Sequence, residues 1–158
     1  MEHLDDRYWM TQALRLAEQA AEEGEVPVGA VLVCGEQLVA TAHNRTVADA
    51  CATAHAELLA IEEASATLGR WRLSDCTLYV TLEPCPMCAG AIVNSRIGRV
   101  VFAARDPRAG ALGSLLNLCA YPLEARPEVT EGVCAEESLA LLRKFFAKMR
   151  KKEKDAEA

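Results

Sequence analysis

His55-Ala56-Glu57 and, further along, Pro84-Cys85-Pro86-Met87-Cys88 gather one imidazole, two thiols and one carboxylate into two short segments. Imidazole nitrogen and thiolate sulfur are ligands that zinc favours, and a Cys-x-x-Cys pair at a helix start puts both sulfurs on one turn. The helix's positive end also favours thiolate over thiol. Three protein ligands leave the fourth tetrahedral position to water, as catalytic rather than closed structural zinc sites do. The expectation is one zinc ion per chain on His55, Cys85 and Cys88, with Glu57 outside the ligand set. Zinc brings the pKa of such a water towards neutrality. Glu57 could then take its proton and pass it to a ring nitrogen and a leaving amine, acting as both general base and general acid. That chemistry is hydrolytic deamination of an amidine-like carbon in a nucleobase.

The competing reading is a structural zinc clip completed by another ligand such as Cys51, four residues before His55. Structural sites usually show two ligand pairs at knuckle spacing, and the second pair is absent here. His3 and His43 have no comparable context and are assigned nothing.

The elements around these residues follow from apolar spacing and from capping residues. Asp5 or Asp6 can cap a first helix to about Glu23, with Met10, Leu14, Ala17 and Ala21 on one stripe and Gly24 closing it. Val28 to Cys34 and Gln37 to Ala42 read as a hairpin around Gly35-Glu36, and Asn44 to Thr53 as loop. A second helix from near Ala54 to Leu68-Gly69 holds His55 and Glu57 in its first turn. Two positions are about 200° apart on a regular helix, so both side chains reach one site only by looking past the helix end. Thr77 to Thr81 is a buried strand, Pro86 opens a helix to about Ser95, and Arg99 to Ala103 is a further strand. A loop from Ala104 to Ser114, a weak strand at Glu128 to Thr130 and a terminal amphipathic helix from about Ala135 to Lys152 complete the chain. Alternating strands and helices after an opening hairpin imply an α/β domain with a sheet covered on both faces. Residues 1–150 are read as one zinc-dependent domain, and 151–158 as a charged tail that frays.

Composition narrows the class. The chain has 158 residues, 51% hydrophobic and 25% charged, with no apolar run near the roughly 20 residues that a bilayer crossing needs. Its N-terminus is acidic where a secretory signal is basic and apolar, so a cytoplasmic protein without a membrane partner is expected. The seven cysteines are odd in number, and a chain this long needs no staples. Reduced thiols are therefore expected, with Cys34, Cys51, Cys76, Cys119 and Cys134 as small apolar fillers. A net charge of −6 argues against a generic nucleic-acid binder and against duplex DNA as a partner. All five lysines nevertheless lie between Lys144 and Lys154, joined by Arg143 and Arg150. That cluster is either a local basic surface or a solubilising helix end complementing the macrodipole.

Beyond the metal ligands, Glu25-Val26-Pro27-Val28-Gly29-Ala30-Val31, Thr53-Ala54-His55-Ala56-Glu57, Leu78-Tyr79-Val80-Thr81-Leu82-Glu83-Pro84-Cys85 and Cys88-Ala89-Gly90-Ala91-Ile92 resemble the bacterial tRNA adenosine deaminases of the TadA type, within the cytidine and deoxycytidylate deaminase superfamily. The likeness runs from Tyr8 to Phe146. It implies a three-layer α/β/α cytidine-deaminase-like fold with a mixed five-stranded sheet, a homodimer, and conversion of adenosine to inosine at the wobble position (34) of a tRNA anticodon, that of an arginine tRNA. By the same likeness His55, Cys85 and Cys88 hold zinc and Glu57 shuttles protons. Asn44 occupies the position that reads the purine edge, and Asp106 the acidic loop position near the nucleotide sugar, where it would favour RNA over DNA. Taken without the family, Asn44 and Asp106 are turn residues. After Leu118 this chain departs from the pattern: Ala120-Tyr121 and Glu124-Ala125 stand where many members carry a histidine pair and an Asn-His. Contacts to flanking nucleotides are therefore not carried over, and Tyr121 is either a stacking platform or packing.

Three functions compete at this stage. The first is deamination of an anticodon stem-loop, which presents its target unpaired. The second is deamination of a free nucleobase, guanine or cytosine, with which Cys85-Pro86-Met87-Cys88 is also compatible. The third is an inactive RNA-binding module stabilised by zinc, for which Glu57 would have no use.

Overall fold

The protein is described by a computed structural model that covers residues 5–157; His3 lies outside them. Five strands, β1 (Gly29–Cys34), β2 (Gln37–His43), β3 (Cys76–Leu82), β4 (Arg99–Ala104) and β5 (Glu128–Glu131), form one mixed sheet in the order β2-β1-β3-β4-β5. β1 runs antiparallel to both β2 and β3, while β3, β4 and β5 are parallel. The helices are α1 (Asp6–Glu22), α2 (Ala56–Leu68), α3 (Pro86–Asn94) and α4 (Ala135–Glu157), with a 3-10 turn at Leu118–Ala120. The three-layer α/β/α architecture is as expected.

Strand alternation divides the core into two halves. Ala30, Leu32, Leu78, Val80, Val100 and Phe102 pack on one face with Ala60 and Ile61 of α2 and Ala89 and Ile92 of α3. Val31, Val33, Tyr79, Val101 and Ala103 pack on the other with Trp9, Met10 and Leu14 of α1. Because β1, β3 and β4 are covered on both faces, they read as nearly continuous apolar runs. α1 lies so close to β1 that a Cβ on Gly29 would come within 2.1 Å of the Ala13 carbonyl oxygen, so glycine is required there. Asp5 caps α1 by accepting from the Tyr8 N–H at 2.9 Å, as expected.

Two expectations are corrected. Cys34 and Cys76 are not free fillers: the antiparallel register of β1 and β3 sets them opposite each other, and they form a disulfide with a Cα–Cα separation of 4.2 Å. The other five cysteines are free. The terminal helix also runs past the expected end near Lys152, since α4 continues to Glu157. Lys, Glu and Ala are good helix formers, and Lys154 in the last turn complements the dipole. Among the described residues no helix is long and apolar enough to cross a membrane.

Candidate metal centre and cavity

Both candidate ligand segments sit at helix starts. His55 is the N-cap of α2, with extended backbone (φ −81, ψ 149), and Cys85 is the N-cap of α3, followed by Pro86 at the first helical position. Neither side chain caps its own helix. Each points past the helix end, as the spacing of His55 and Glu57 requires, although His55 precedes the first turn that the sequence suggested for it.

The three donor atoms converge. His55 Nδ1 lies 3.6 Å from Cys85 Sγ and 3.5 Å from Cys88 Sγ, and all three atoms lie within 4.8 Å of one another. Zinc bonds of about 2.3 Å to sulfur and about 2.0 Å to nitrogen, at tetrahedral angles, would separate nitrogen from sulfur by about 3.5 Å. The donor set and its spacing therefore fit a zinc ion. Cys51 is exposed and its sulfur contacts Thr53 Oγ1 at 3.2 Å, so it does not join the group.

Hydrogen bonding from the Cys88 thiol, and then from His55, brings the Cys85 thiol down to about 4 against the opposing effect of burial. Cys85 in turn raises both His55 and Cys88. Glu57, in the first turn of α2, is 4% exposed, and burial pushes its carboxyl up to about 7. A group poised there can give and take a proton near neutral pH.

His55, Glu57 and Cys85 line a cavity of about 590 Å³ whose other walls include Asn44, Asp106, Phe145, Phe146 and Met149. His55, Glu57, Cys85, Asn44 and Asp106 thus face one space, and the buried Cys88 lies behind it with its sulfur against His55. Asn44 also has a bracing role: its Oδ1 accepts from the Ala56 N–H at 2.9 Å and its Nδ2 donates to the Val26 carbonyl at 3.2 Å. Asp106 is indeed a turn residue, since Oδ1 accepts from the N–H groups of Arg108 and Ala109 at 3.0 and 3.3 Å. Tyr121 is exposed and does not line the cavity.

Two buried carboxylates in the cavity wall, Glu25 and Glu83, have roles that their sequence context does not disclose. Glu25 accepts from the N–H groups of Val47 and Ala48 at 3.0 and 2.8 Å, holding the loop after β2. Glu83 accepts from the loop after β4. The only signal for either was an acid set in an apolar run, two residues before proline in one case and one in the other.

The chain is similar to known zinc-binding deaminases. Residues 4–104 match the model of the cytidine and deoxycytidylate deaminase zinc-binding region. The tRNA-specific adenosine deaminase of Bacillus subtilis is 49% identical over 152 residues, covering 96% of this chain and 94% of that protein. A solved structure from studies of A-to-I editing by tRNA:A34 deaminases at the wobble position of transfer RNA superposes with a TM-score of 0.83 at 43% identity, covering 85% of this chain and 99% of that one. The guanine deaminase from Nitrosomonas europaea superposes with a TM-score of 0.73 at 28% identity, over 89% and 84% of the two chains.

Proposed function

The chain belongs to the zinc-binding deaminase family of cytidine and deoxycytidylate deaminases, and on that premise we propose that it hydrolyses adenosine to inosine at the wobble position (34) of a tRNA anticodon, releasing ammonia. The observation that carries the reaction is a buried carboxylate, Glu57, beside a three-donor group of metal-ligand spacing. The 49% identity to a tRNA-specific adenosine deaminase over nearly the whole chain supports the substrate.

One zinc ion per chain would be held by His55 Nδ1, Cys85 Sγ and Cys88 Sγ, and it would supply the Lewis acidity that makes water nucleophilic near neutral pH. Water adds to the carbon bearing the amine, and ammonia leaves. Glu57 takes a proton from the attacking water and gives it to the ring nitrogen, then takes the proton of the new C–OH group and gives it to the amine, which leaves as ammonia while the C=O forms, a relay for which its raised carboxyl is suited. Asn44, with one N–H and one lone pair beyond its bracing bonds, reads the purine edge. Asp106 keeps Oδ2 to accept from the ribose 2′-hydroxyl. The basic end of α4, which carries Phe145, Phe146 and Met149 onto the cavity wall, offers charge to the flanking phosphates.

The reading extends to a cytoplasmic homodimer acting on an arginine tRNA, which is what the sequence motifs and the resemblance they carry imply. Exposed apolar side chains at Trp71, Leu115 and Tyr121 suit a partner chain. The guanine deaminase structure keeps a free-base reading in play. Turnover of an anticodon stem-loop with and without a chelator, read by inosine-sensitive sequencing and set against ammonia release from free guanine, cytosine and adenine, tests both readings. Unchanged wobble adenosine with zinc-loaded protein would remove the tRNA reading.

A further inference from the structure

Glu83 is 2% exposed, and its carboxylate is the meeting point of donors from a single loop. Oε1 accepts from the Asp106 N–H at 3.2 Å and Oε2 from the N–H groups of Leu112 and Ser114 at 3.0 and 3.1 Å. The Ser114 hydroxyl also bonds to Oε1. The carboxylate sits so tightly against Gly110 that a Cβ there would lie 2.3 Å from its Cδ. Backbone bonds reinforce the link, from the Glu83 N–H to Ala104 and from the Ala111 N–H to Pro84. Glu83 immediately precedes the Pro84-Cys85 step, so one short segment carries a candidate metal ligand and the anchor of the loop bearing Asp106.

A buried carboxylate saturated by four donors is stabilising only while all four stay in place, and it fixes their relative positions. We propose that Glu83 is a positioning residue: it holds the loop from Asp106 to Ser114 as one wall of the cavity, and so sets how the target nucleotide's sugar is received at Asp106. The inference rests on the reading that this cavity takes the target nucleotide. Replacing one carboxylate oxygen by an amide turns an acceptor into a donor that faces N–H groups, releasing the wall without changing side-chain volume.

The test compares Glu83→Gln and the milder Ser114→Ala with wild type. Readouts are metal content, amide hydrogen exchange at Leu112 and Ser114, and KM and kcat on an RNA stem-loop and on its analogue with deoxyribose at the target position. Expected for Glu83→Gln are unchanged metal content, faster exchange across the loop, KM for the RNA raised about tenfold, and an RNA-over-DNA ratio lowered several-fold. Ser114→Ala should likewise leave metal content unchanged and should move loop exchange, KM and the RNA-over-DNA ratio in the same directions by no more than about threefold, and it decides the matter should Glu83→Gln not fold. Loss of metal, or an equal fall in kcat on both substrates with the ratio intact, would overturn the proposal, because Glu83 would then serve Cys85 rather than the wall. Absence of wild-type turnover would count against the deaminase reading alone, leaving loop exchange to decide whether Glu83 holds the wall.

Discussion

Asn44 Oδ1 accepts a hydrogen bond from the backbone N–H of Ala56 at 2.9 Å, so a residue outside α2 satisfies one of that helix's unpaired N-terminal donors. His55 is the N-cap and leaves this work undone, because its imidazole faces the two sulfurs instead. Asn44→Ala should therefore cost about 1 kcal/mol or somewhat more of folding stability, as loss of a capping bond does, and should raise KM for the stem-loop. Urea unfolding and steady-state kinetics check the two effects separately. Unchanged stability would refute the brace, and unchanged KM would refute the purine-edge role.

Glu57→Gln should keep the fold and the bound metal while lowering kcat by about 10²–10⁴, the usual worth of a positioned general acid and base. The carboxyl is not one of the convergent donor atoms, so metal content should stay near one per chain. Metal analysis beside single-turnover kinetics makes the comparison. A variant that loses its metal would make Glu57 a ligand.

Cys88 is fully buried with its sulfur against His55. Cys88→Ser should weaken metal binding by more than the roughly 10–100-fold that loss of a mere outer partner costs. Chelation of wild type should abolish turnover and lower Tm, since a ligand held only by the folded state stabilises it. Zinc should restore both. Recovery of activity with the chelator still in excess would separate the reaction from the metal.

The Cys34–Cys76 bridge joins adjacent strands 42 residues apart in sequence. Closing a loop of that length is worth at most about 4 kcal/mol on the loop-entropy model. Protein purified without reductant should show five titratable thiols when unfolded, matching its five free cysteines, and seven after reduction. Reduction should lower the urea midpoint without altering kcat, because the bridge lies at the far end of β1 and β3 from the cavity. Seven thiols at the outset would return Cys34 and Cys76 to the free set.

Local signals located most of the machinery. Pro86 marked the start of α3, apolar runs marked β1, β3 and β4, and Cys-x-x-Cys beside His-x-Glu picked out the metal group, because each depends on neighbours a few residues away. Features set by long-range register were not legible. Cys34 opposes Cys76 only once β1 pairs with β3, and Glu25 and Glu83 gain roles only when loops 22 and 23 or more residues distant fold over them. The helix reaches Glu157 rather than Lys152 because its Lys, Glu and Ala residues are good helix formers, a propensity that the loss of apolar periodicity there conceals.

Asp6 joins α1 to the sheet through a two-pronged pair with Arg99, at 2.8 and 2.7 Å, and it also accepts from the Tyr79 hydroxyl at 2.9 Å. The same guanidinium donates to Thr130 Oγ1 at 3.0 Å, so one cluster ties the start of α1 to β3, β4 and β5. The Arg99 guanidinium, and after it Tyr79, hold the Asp6 carboxyl below its ordinary value against a partial burial that works the other way. A folded-state value below the unfolded one means that the unfolded chain binds the proton more readily. The stabilisation is therefore fully present above the unfolded value, near 4, and is lost as pH falls through the folded value. Asp6→Asn should cost about 1 kcal/mol at neutral pH, a figure already reduced for solvent screening of a partly exposed pair. The gap between variant and wild type should close in acid below about pH 4. Thermal unfolding of both proteins across pH 3 to 7 measures it, and a gap that stays constant over that range would show that the carboxylate's charge is not what holds α1 to the sheet.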